Sequence, residues 1–379
     1  MEASGPPHKI ERATWNGFVC LGATPLLEAK TTVLLNSSQG KQPTGDLPWV
    51  QRTLRAVESF KDDGNILFTS IGLNTWEWVC WAAGHCRLRQ IVAVPDFGER
   101  PPERIFGELL RAFDLEGDLT CAVLIPAKKK KPKSWWAGRD ELSISAAHLI
   151  VPISIRSGGR IDKLLANRSA STRLDDRFRT DWSPSPRTRP LLAFDSVRIR
   201  SAVDPLYRDW IIHWTRSADG PWPGETSADY YRAVAESGGE YSRSARRTLE
   251  RIEEERRIRA SSWRIRGRAP VVALSAAPPS EATTLMRWRS RYARYTIEPY
   301  GLAIRKEAAL DSGVQPALYR SESEKDRTTP SWRLQSPGLR GDWPAEKEYR
   351  HLRDLDLSGL PGESWQSIEL TGYLLQGGE

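Results

Sequence analysis

The sequence predicts an open, mostly parallel α/β sheet followed by a separate α+β domain, and three observations carry that expectation. Five short apolar runs, at residues 32–35, 66–68, 91–95, 121–125 and 148–153, alternate with segments of helical period. Residues 168–191, rich in Ser, Arg, Pro and Asp, then break the pattern as a linker does. Beyond them apolar segments recur irregularly with few helices between. The expected organisation is a lead-in over 1–30, a parallel domain over 31–167, the linker over 168–191 and an α+β domain over 192–379.

At 379 residues the chain exceeds one ordinary core and suits two domains. Its 39% hydrophobic content and 16 Trp exclude disorder throughout. The formal net charge of +8 favours encounter with phosphate without placing a site. The cysteines Cys20, Cys80, Cys86 and Cys121 contain no C-x-x-C pair and read as reduced, packed thiols. Cys80, His85 and Cys86 are close in sequence but lack a second ligand cluster, so no metal is expected. There is no apolar leader and no run of about 20 apolar residues, which predicts a cytoplasmic protein with no membrane partner.

Residues 1–30 carry Pro6-Pro7 and one short apolar segment, Phe18-Val19-Cys20-Leu21, the only strand expected there. The run at 32–35 ends in Asn36-Ser37-Ser38-Gln39-Gly40-Lys41, and Pro48 opens a helix in which Val50, Leu54 and Val57 share a face. The run at 66–68 ends in Thr69-Ser70-Ile71-Gly72-Leu73-Asn74-Thr75, followed by a helix over 76–84 and a strand over 91–95. These thirty or so residues have the length of a right-handed parallel crossover. Helices over 102–113 and 134–146 separate the remaining strands.

In such a sheet ligands sit outside the carboxyl ends of the strands, here residues 36–41, 69–75, 95–96, 128–131 and 156–160. Nearly all are polar, glycine-containing or basic. The turn at Gly72 joins a strand end to a helix start, where free N–H groups and the helix dipole favour an anion. Ser37, Ser38, Gly72, Asn74 and Thr75 are therefore candidate nucleotide-binding residues. Asn74 and Glu77 have the spacing of a capping box, so Glu77 reads both as a cap and as a site carboxylate. Lys128-Lys129-Lys130-Lys131-Pro132-Lys133 reads as a solvated tether or as a nucleic-acid patch at the ligand mouth.

Residues 31–166 resemble the SLOG superfamily of Rossmann-like nucleotide-binding domains, which includes the DNA-processing A (Smf) proteins and the LOG-type cytokinin phosphoribohydrolases. Gly72-Leu73-Asn74-Thr75-Trp76-Glu77 is similar to the G-x-G-T-x-E core of the LOG phosphate loop, with Asn74 where that family has glycine. Arg139-Asp140, an alanine-rich turn, an apolar strand and Ser157-Gly158-Gly159 are similar to the last repeat of the DNA-processing proteins. The resemblance implies NAD or another nucleotide as ligand and adds Glu77, Arg139, Gly158 and Gly159 to the binding residues.

In the second domain, apolar segments occur at 210–212, 270–274, 300–304, 316–319 and 367–370, a pattern of α+β type. A helix is predicted over 242–258, with Ala245, Leu249 and Ile252 in a stripe and Glu253/Arg257 and Glu255/Arg259 as i,i+4 pairs. Ten arginines lie between Arg243 and Arg268, read as a salt-bridged solvated face or as a surface for an acidic or nucleic-acid partner. His213, Tyr300, Glu346 and Glu348 are the candidate catalytic residues. A histidine on a ribose hydroxyl, a ring stacked on nicotinamide and a carboxylate facing an oxocarbenium ion are the parts that break an N-glycosidic bond. Each has a plain reading too: a hydrogen-bonded core histidine, sheet packing, and partners for Arg350.

The order His, Tyr, Glu on separate strands resembles the ADP-ribosyltransferase fold, and residues 271–357 resemble AbiGi-type proteins of abortive phage resistance. These resemblances imply ADP-ribosyl transfer or NAD cleavage in bacterial antiphage defence. The alternative class is a non-catalytic DNA-binding protein of the DNA-processing A type, using Lys128 to Lys133 and residues 243–268 with DNA or another nucleic acid as partner.

Overall fold

Strands that are apolar at every position need cover on both faces, and the first half of the chain is built to supply it. The computed structural model describes residues 10–375 apart from 62–63, 129–131, 184–190, 263–264, 266–267, 291, 293, 321–328 and 336–342. In chain order the first elements are β1 (Arg12–Trp15), β2 (Phe18–Gly22), β3 (Thr31–Asn36), α1 (Pro48–Glu58), β4 (Ile66–Ser70), α2 (Asn74–His85), β5 (Gln90–Asp96), α3 (Pro102–Phe113), β6 (Thr120–Pro126), α4 (Pro132–Ala146), β7 (Ala147–Ser154), α5 (Arg160–Ala166) and β8 (Arg173–Leu174). There follow α6 (Ser196–Ala202), β9 (Trp210–Trp214), α7 (Ser227–Glu236), α8 (Ala245–Glu255), β10 (Arg257–Ile258), β11 (Val271–Ser275), α9 (Pro279–Ala282), β12 (Trp288–Arg289), β13 (Arg294–Tyr295) and β14 (Tyr300–Arg305). The last are α10 (Lys306–Asp311), β15 (Gln315–Pro316), β16 (Leu318–Tyr319), β17 (Leu334–Gln335), β18 (Glu348–Leu352), β19 (Leu355–Asp356) and β20 (Trp365–Glu369). The chain divides into two compact units, Met1–Ser185 with Gly224–Ser242, and Pro186–Pro223 with Arg243–Glu379.

The first unit holds a sheet of order β1-β2-β6-β5-β4-β3-β7-β8, parallel from β6 to β8, with the β1–β2 hairpin antiparallel on its edge. From β3 the chain steps through β4 and β5 to β6 in one direction, and right-handed crossovers then place α1, α2 and α3 on one face. It returns to lay β7 on the other side of β3, which places α4 and α5 on the opposite face. Leu34, Leu67 and Val92 accordingly pack with Trp49, Trp78 and Phe106, while Val33, Phe68 and Ile91 pack with Ile144 and Ile161. Full burial of each such side chain contributes about 1.5–3 kcal/mol. Helix α7 lies in the range expected for the second domain, yet its Tyr230, Tyr231 and Val234 complete the first of these two cores. Strand β8 lies in the range read as a linker and pairs in parallel with β7.

The second unit holds an antiparallel sheet of order β15-β18-β11-β9-β14-β20. One face buries Ile211, Leu274, Leu302 and Ile304 under Leu249 and Ile252 of α8; the other buries Ile212, Trp214, Ala303 and Ile368 with Ile199 of α6. Helix α8 is shorter than expected, because Arg256 turns left-handed at φ 46° and ends it. The Glu253/Arg257 pair therefore does not form. Glu255 instead takes Arg251 at 2.6 Å and Arg259 at 2.9 Å. Among the described residues no helix is long and apolar enough to cross a membrane.

Candidate functional site

Strand order reverses between β3 and β7, so the loops leaving them part at the carboxyl edge of the sheet, where open α/β sheets take ligands. Buried Ser37 links the two loops: its N–H donates to the Ser154 carbonyl at 2.8 Å and its Oγ accepts the Arg156 N–H at 2.9 Å. Ser38 is exposed, its carbonyl accepting the Trp182 indole N–H at 3.1 Å. Gly158, at φ +67°, donates its N–H to Asp162 Oδ2 at 2.8 Å. Gly159 starts α5 where a Cβ would stand 2.8 Å from the Arg156 carbonyl.

The β4–α2 turn adjoins this edge. Gly72, at φ +92°, donates its N–H to Glu77 Oε1 at 2.8 Å, and the Tyr231 hydroxyl donates to Glu77 Oε2 at 2.7 Å. The expected Asn74–Glu77 capping box does not form, because the helix starts one residue earlier than that box requires. Leu73, with extended φ and ψ, is the N-cap and makes no side-chain bond. Asn74 is already helical, its Nδ2 donating to the Gly40 carbonyl at 2.6 Å, and Glu77 reaches back to Gly72. Thr75 is buried in the first turn, where the Trp76 and Glu77 N–H groups donate to the Leu73 carbonyl at 3.0 and 2.9 Å.

Arg139, on α4, is 1% exposed. Its Nε and Nη2 donate to Asp140 Oδ1 at 3.0 and 2.7 Å, and its guanidinium lies 4.7 Å from the Trp76 ring centre and 5.3 Å from that of Trp135. Burial pushes the Arg139 guanidinium down and the Asp140 carboxyl up from their ordinary values. An arginine nonetheless keeps its charge at any working pH. Arg139 Nη1 is buried and among the described residues has no hydrogen-bond partner. Trp135 also covers the glycine turn, since a Cβ on Gly72 would come 3.2 Å from its Cζ2. At the end of β3, Asn36 donates to Thr53 Oγ1 at 3.0 Å while its buried Oδ1 is unpaired. Among the described residues the end of β3 thus carries an unpaired buried acceptor, Asn36 Oδ1, and helix α4 an unpaired buried donor, Arg139 Nη1. Asn36 and Arg156 fall in the strand-end loops read from the sequence as the ligand edge, whereas Trp135 and Tyr231 were not expected there; the Trp135-Trp136 pair ahead of Arg139 is a local signal for the former. Lys128 is exposed after β6, and Lys129, Lys130 and Lys131 lie outside the described residues.

The candidate catalytic residues of the second unit are not assembled on one face. His213 pairs with Leu302, two residues from Tyr300, so both project to the face that holds Ile211 and Leu274. His213 Nδ1 lies 2.8 Å from the Ala273 carbonyl, and burial, helped by the Arg216 charge, holds the imidazole below its ordinary value. Glu348 pairs with Ser275, which pairs with Ile212, and this row belongs to the opposite face. Its carboxylate takes Arg350 Nε at 2.8 Å and Nη2 at 3.0 Å. Glu346 precedes β18 in a short 3-10 turn; burial, then the Glu348 charge, push its carboxyl up to about 7. The strand alternation thus separates Glu348 from His213 and Tyr300. Among the described residues no group of three or more His, Cys, Asp or Glu side chains gathers to hold a metal.

No family model matches the chain, and no curated protein matches it. Among solved structures it is similar to DNA processing protein A from Helicobacter pylori, a protein described for its single-stranded DNA binding mode. That similarity is 15% in identity, covers 47% of this chain and 78% of that chain, and has a TM-score of 0.30. By its own strand order and crossovers, the first unit is a mostly parallel, Rossmann-like α/β sheet and the second an antiparallel α+β unit.

Proposed function

We propose that the first unit binds a nucleotide, its phosphate facing the Gly72 turn and Arg139. The observation that carries this reading is the buried, unpaired Nη1 of Arg139. A buried donor without an acceptor costs about 1–3 kcal/mol, which an accepting phosphate oxygen would offset. The amino end of α2 favours the same charge. Asn36 Oδ1 offers an acceptor for a ribose hydroxyl, and Trp135 and Trp136 flank Gly72 as aromatic walls for a base. NAD is one member of this ligand class. The NAD-cleaving, antiphage role attached to the second unit by resemblance finds its three groups on two faces, so the proposal is confined to binding.

Titration calorimetry of the full chain with ATP, AMP, NAD and ADP-ribose, and separately with a single-stranded oligonucleotide, tests the reading. At least one nucleotide should bind and keep its affinity between roughly 50 and 300 mM salt, whereas DNA held by phosphate contacts would lose it steeply. Thr75→Ala should weaken the nucleotide about tenfold, or ~1.4 kcal/mol. Binding to the oligonucleotide alone favours the DNA-binding alternative, and silence with every nucleotide refutes the proposal.

A further inference from the structure

The segment read from the sequence as a linker ends in a built contact at the carboxyl edge of the first sheet. After β8 the chain stays beside β7: the Asp175 N–H donates to the Ile150 carbonyl at 2.9 Å and the Thr180 N–H to the Ile153 carbonyl at 2.7 Å. Ser154 bridges to Thr180 in parallel, and its Oγ donates to the Asp181 carbonyl at 3.2 Å. This path delivers Trp182 to the end of β3, where its indole N–H meets the Ser38 carbonyl at 3.1 Å.

Arg156 leaves β7 at the same edge. Its N–H is fixed on Ser37 Oγ at 2.9 Å, and its guanidinium lies 5.2 Å from the Trp182 ring centre. The ring orients this cation without neutralising it. Other arginines nearby do meet carboxylates: Arg160 takes Glu141 at 2.7 Å, Arg177 takes Asp175 at 2.7 Å and Arg179 takes Asp176 at 3.2 Å. Arg156 is exposed, and among the described residues it makes no ion pair. The carboxylate of Asp162 on α5 accepts the Gly158 N–H instead.

One loop joins this cation to the Gly72 turn. Residues 36–41 meet Arg156 and Trp182 at Ser37 and Ser38, and meet the turn at Gly40, whose carbonyl accepts Asn74 Nδ2 at 2.6 Å. Strands β4 and β7 flank β3, so their carboxyl ends stand two strand spacings apart, about 10 Å. A phosphate at the Gly72 turn and Arg139 leaves Arg156 unused. A second phosphoryl group reaching along the loop would give that guanidinium its counter-charge.

We propose that the ligand of the first unit carries at least two phosphoryl groups, with Arg156 holding the second and Trp182 positioning Arg156. The inference rests on the nucleotide reading and narrows it to the class of ADP, ADP-ribose and NAD. Titration calorimetry of the full chain with AMP, ADP, ADP-ribose and NAD at fixed ionic strength tests it. At least one diphosphate should bind about tenfold more tightly than AMP, and Arg156→Gln should remove about that factor while leaving AMP unchanged. Trp182→Ala should weaken the diphosphate about fivefold, and Trp182→Phe should recover most of the loss because a ring again faces the guanidinium. Arg177→Gln, at a cation already balanced by Asp175, should keep the ratio of diphosphate to AMP affinity and so controls for net charge. A thermal melt checks that each variant is folded. AMP binding as tightly as every diphosphate, or a folded Arg156→Gln variant that loses AMP and diphosphate alike or neither, would overturn the inference and leave the nucleotide reading standing. A wild type that binds none of the four would overturn both.

Discussion

Tyr231→Phe isolates one bond at the edge of the first sheet. Tyr231 is 1% exposed, and its hydroxyl donates to Glu77 Oε2 at 2.7 Å. Burial and the Glu77 charge hold the phenol well above its ordinary value, so it stays a donor at any working pH. The substitution keeps the ring beside Trp78, Phe113 and Tyr230 at centroid distances of 5.9, 6.3 and 4.9 Å, leaving the apolar burial unchanged. The cost is then that of a hydrogen bond to a carboxylate, about 1.5–3 kcal/mol. For a unit of this size that lowers Tm by roughly 3–12 °C. Because the other Glu77 oxygen holds the Gly72 N–H, the loss also loosens the turn assigned to phosphate. Urea melts followed by tryptophan fluorescence measure it, with Glu77→Gln and the double variant completing a cycle whose coupling energy should reach about 1–2 kcal/mol. A Tyr231→Phe variant within about 0.5 kcal/mol of wild type, or additive single effects, would refute the tie between α7 and the α2 turn.

The second unit offers two further expectations. Glu348→Gln should destabilise it by about 3–5 kcal/mol in urea melts, because Arg350, 1% exposed, loses the charge that balances it. Replacing both partners with apolar residues of like volume should recover most of that loss. Glu346 has its folded pKa raised to about 7 from 4.5, so the folded state binds its proton more tightly than the unfolded chain does. This contribution is fully present below 4.5 and is lost as pH rises through about 7, on the order of 3 kcal/mol, and Glu346→Gln should flatten that dependence in melts taken across the window.

The regular elements of the first unit were legible because each carries its own local signal. The helix expected over 102–113 is α3 as observed, led by Pro102 and lined by Ile105, Phe106 and Leu109. The turns at Ser37, Gly72 and Gly158 could be placed because an α/β alternation sends every such turn to the same edge. Side-chain partners were less legible. The spacing of Asn74 and Glu77 suits a capping box, but the start of α2 moved by one residue and the carboxylate found Gly72 and Tyr231 instead. Tyr231 is 154 positions from Glu77, beyond any local pattern. His213, Tyr300 and Glu348 could be read as one site only while their strand registers were unknown.

The sequence by itself determined the central strands and helices of the first unit, that its sheet is mostly parallel and buried on both faces, and that the second unit is of a different class, but not β1, β8 or α7. Runs of apolar residues, helical stripes and Pro and Gly at element ends act over a few residues, so they survive without knowledge of the fold. Tertiary structure decided the rest: that β7 returns beside β3, that α7 packs against α2 and α3, and which arginines meet carboxylates. Those outcomes depend on strand order, register and long-range burial. Arg246 and Arg251 of α8 meet carboxylates one helical turn away, while among the described residues Arg287 and Arg289 make no ion pair. Charge content is written in the sequence, but whether a charge is balanced depends on what the fold sets beside it.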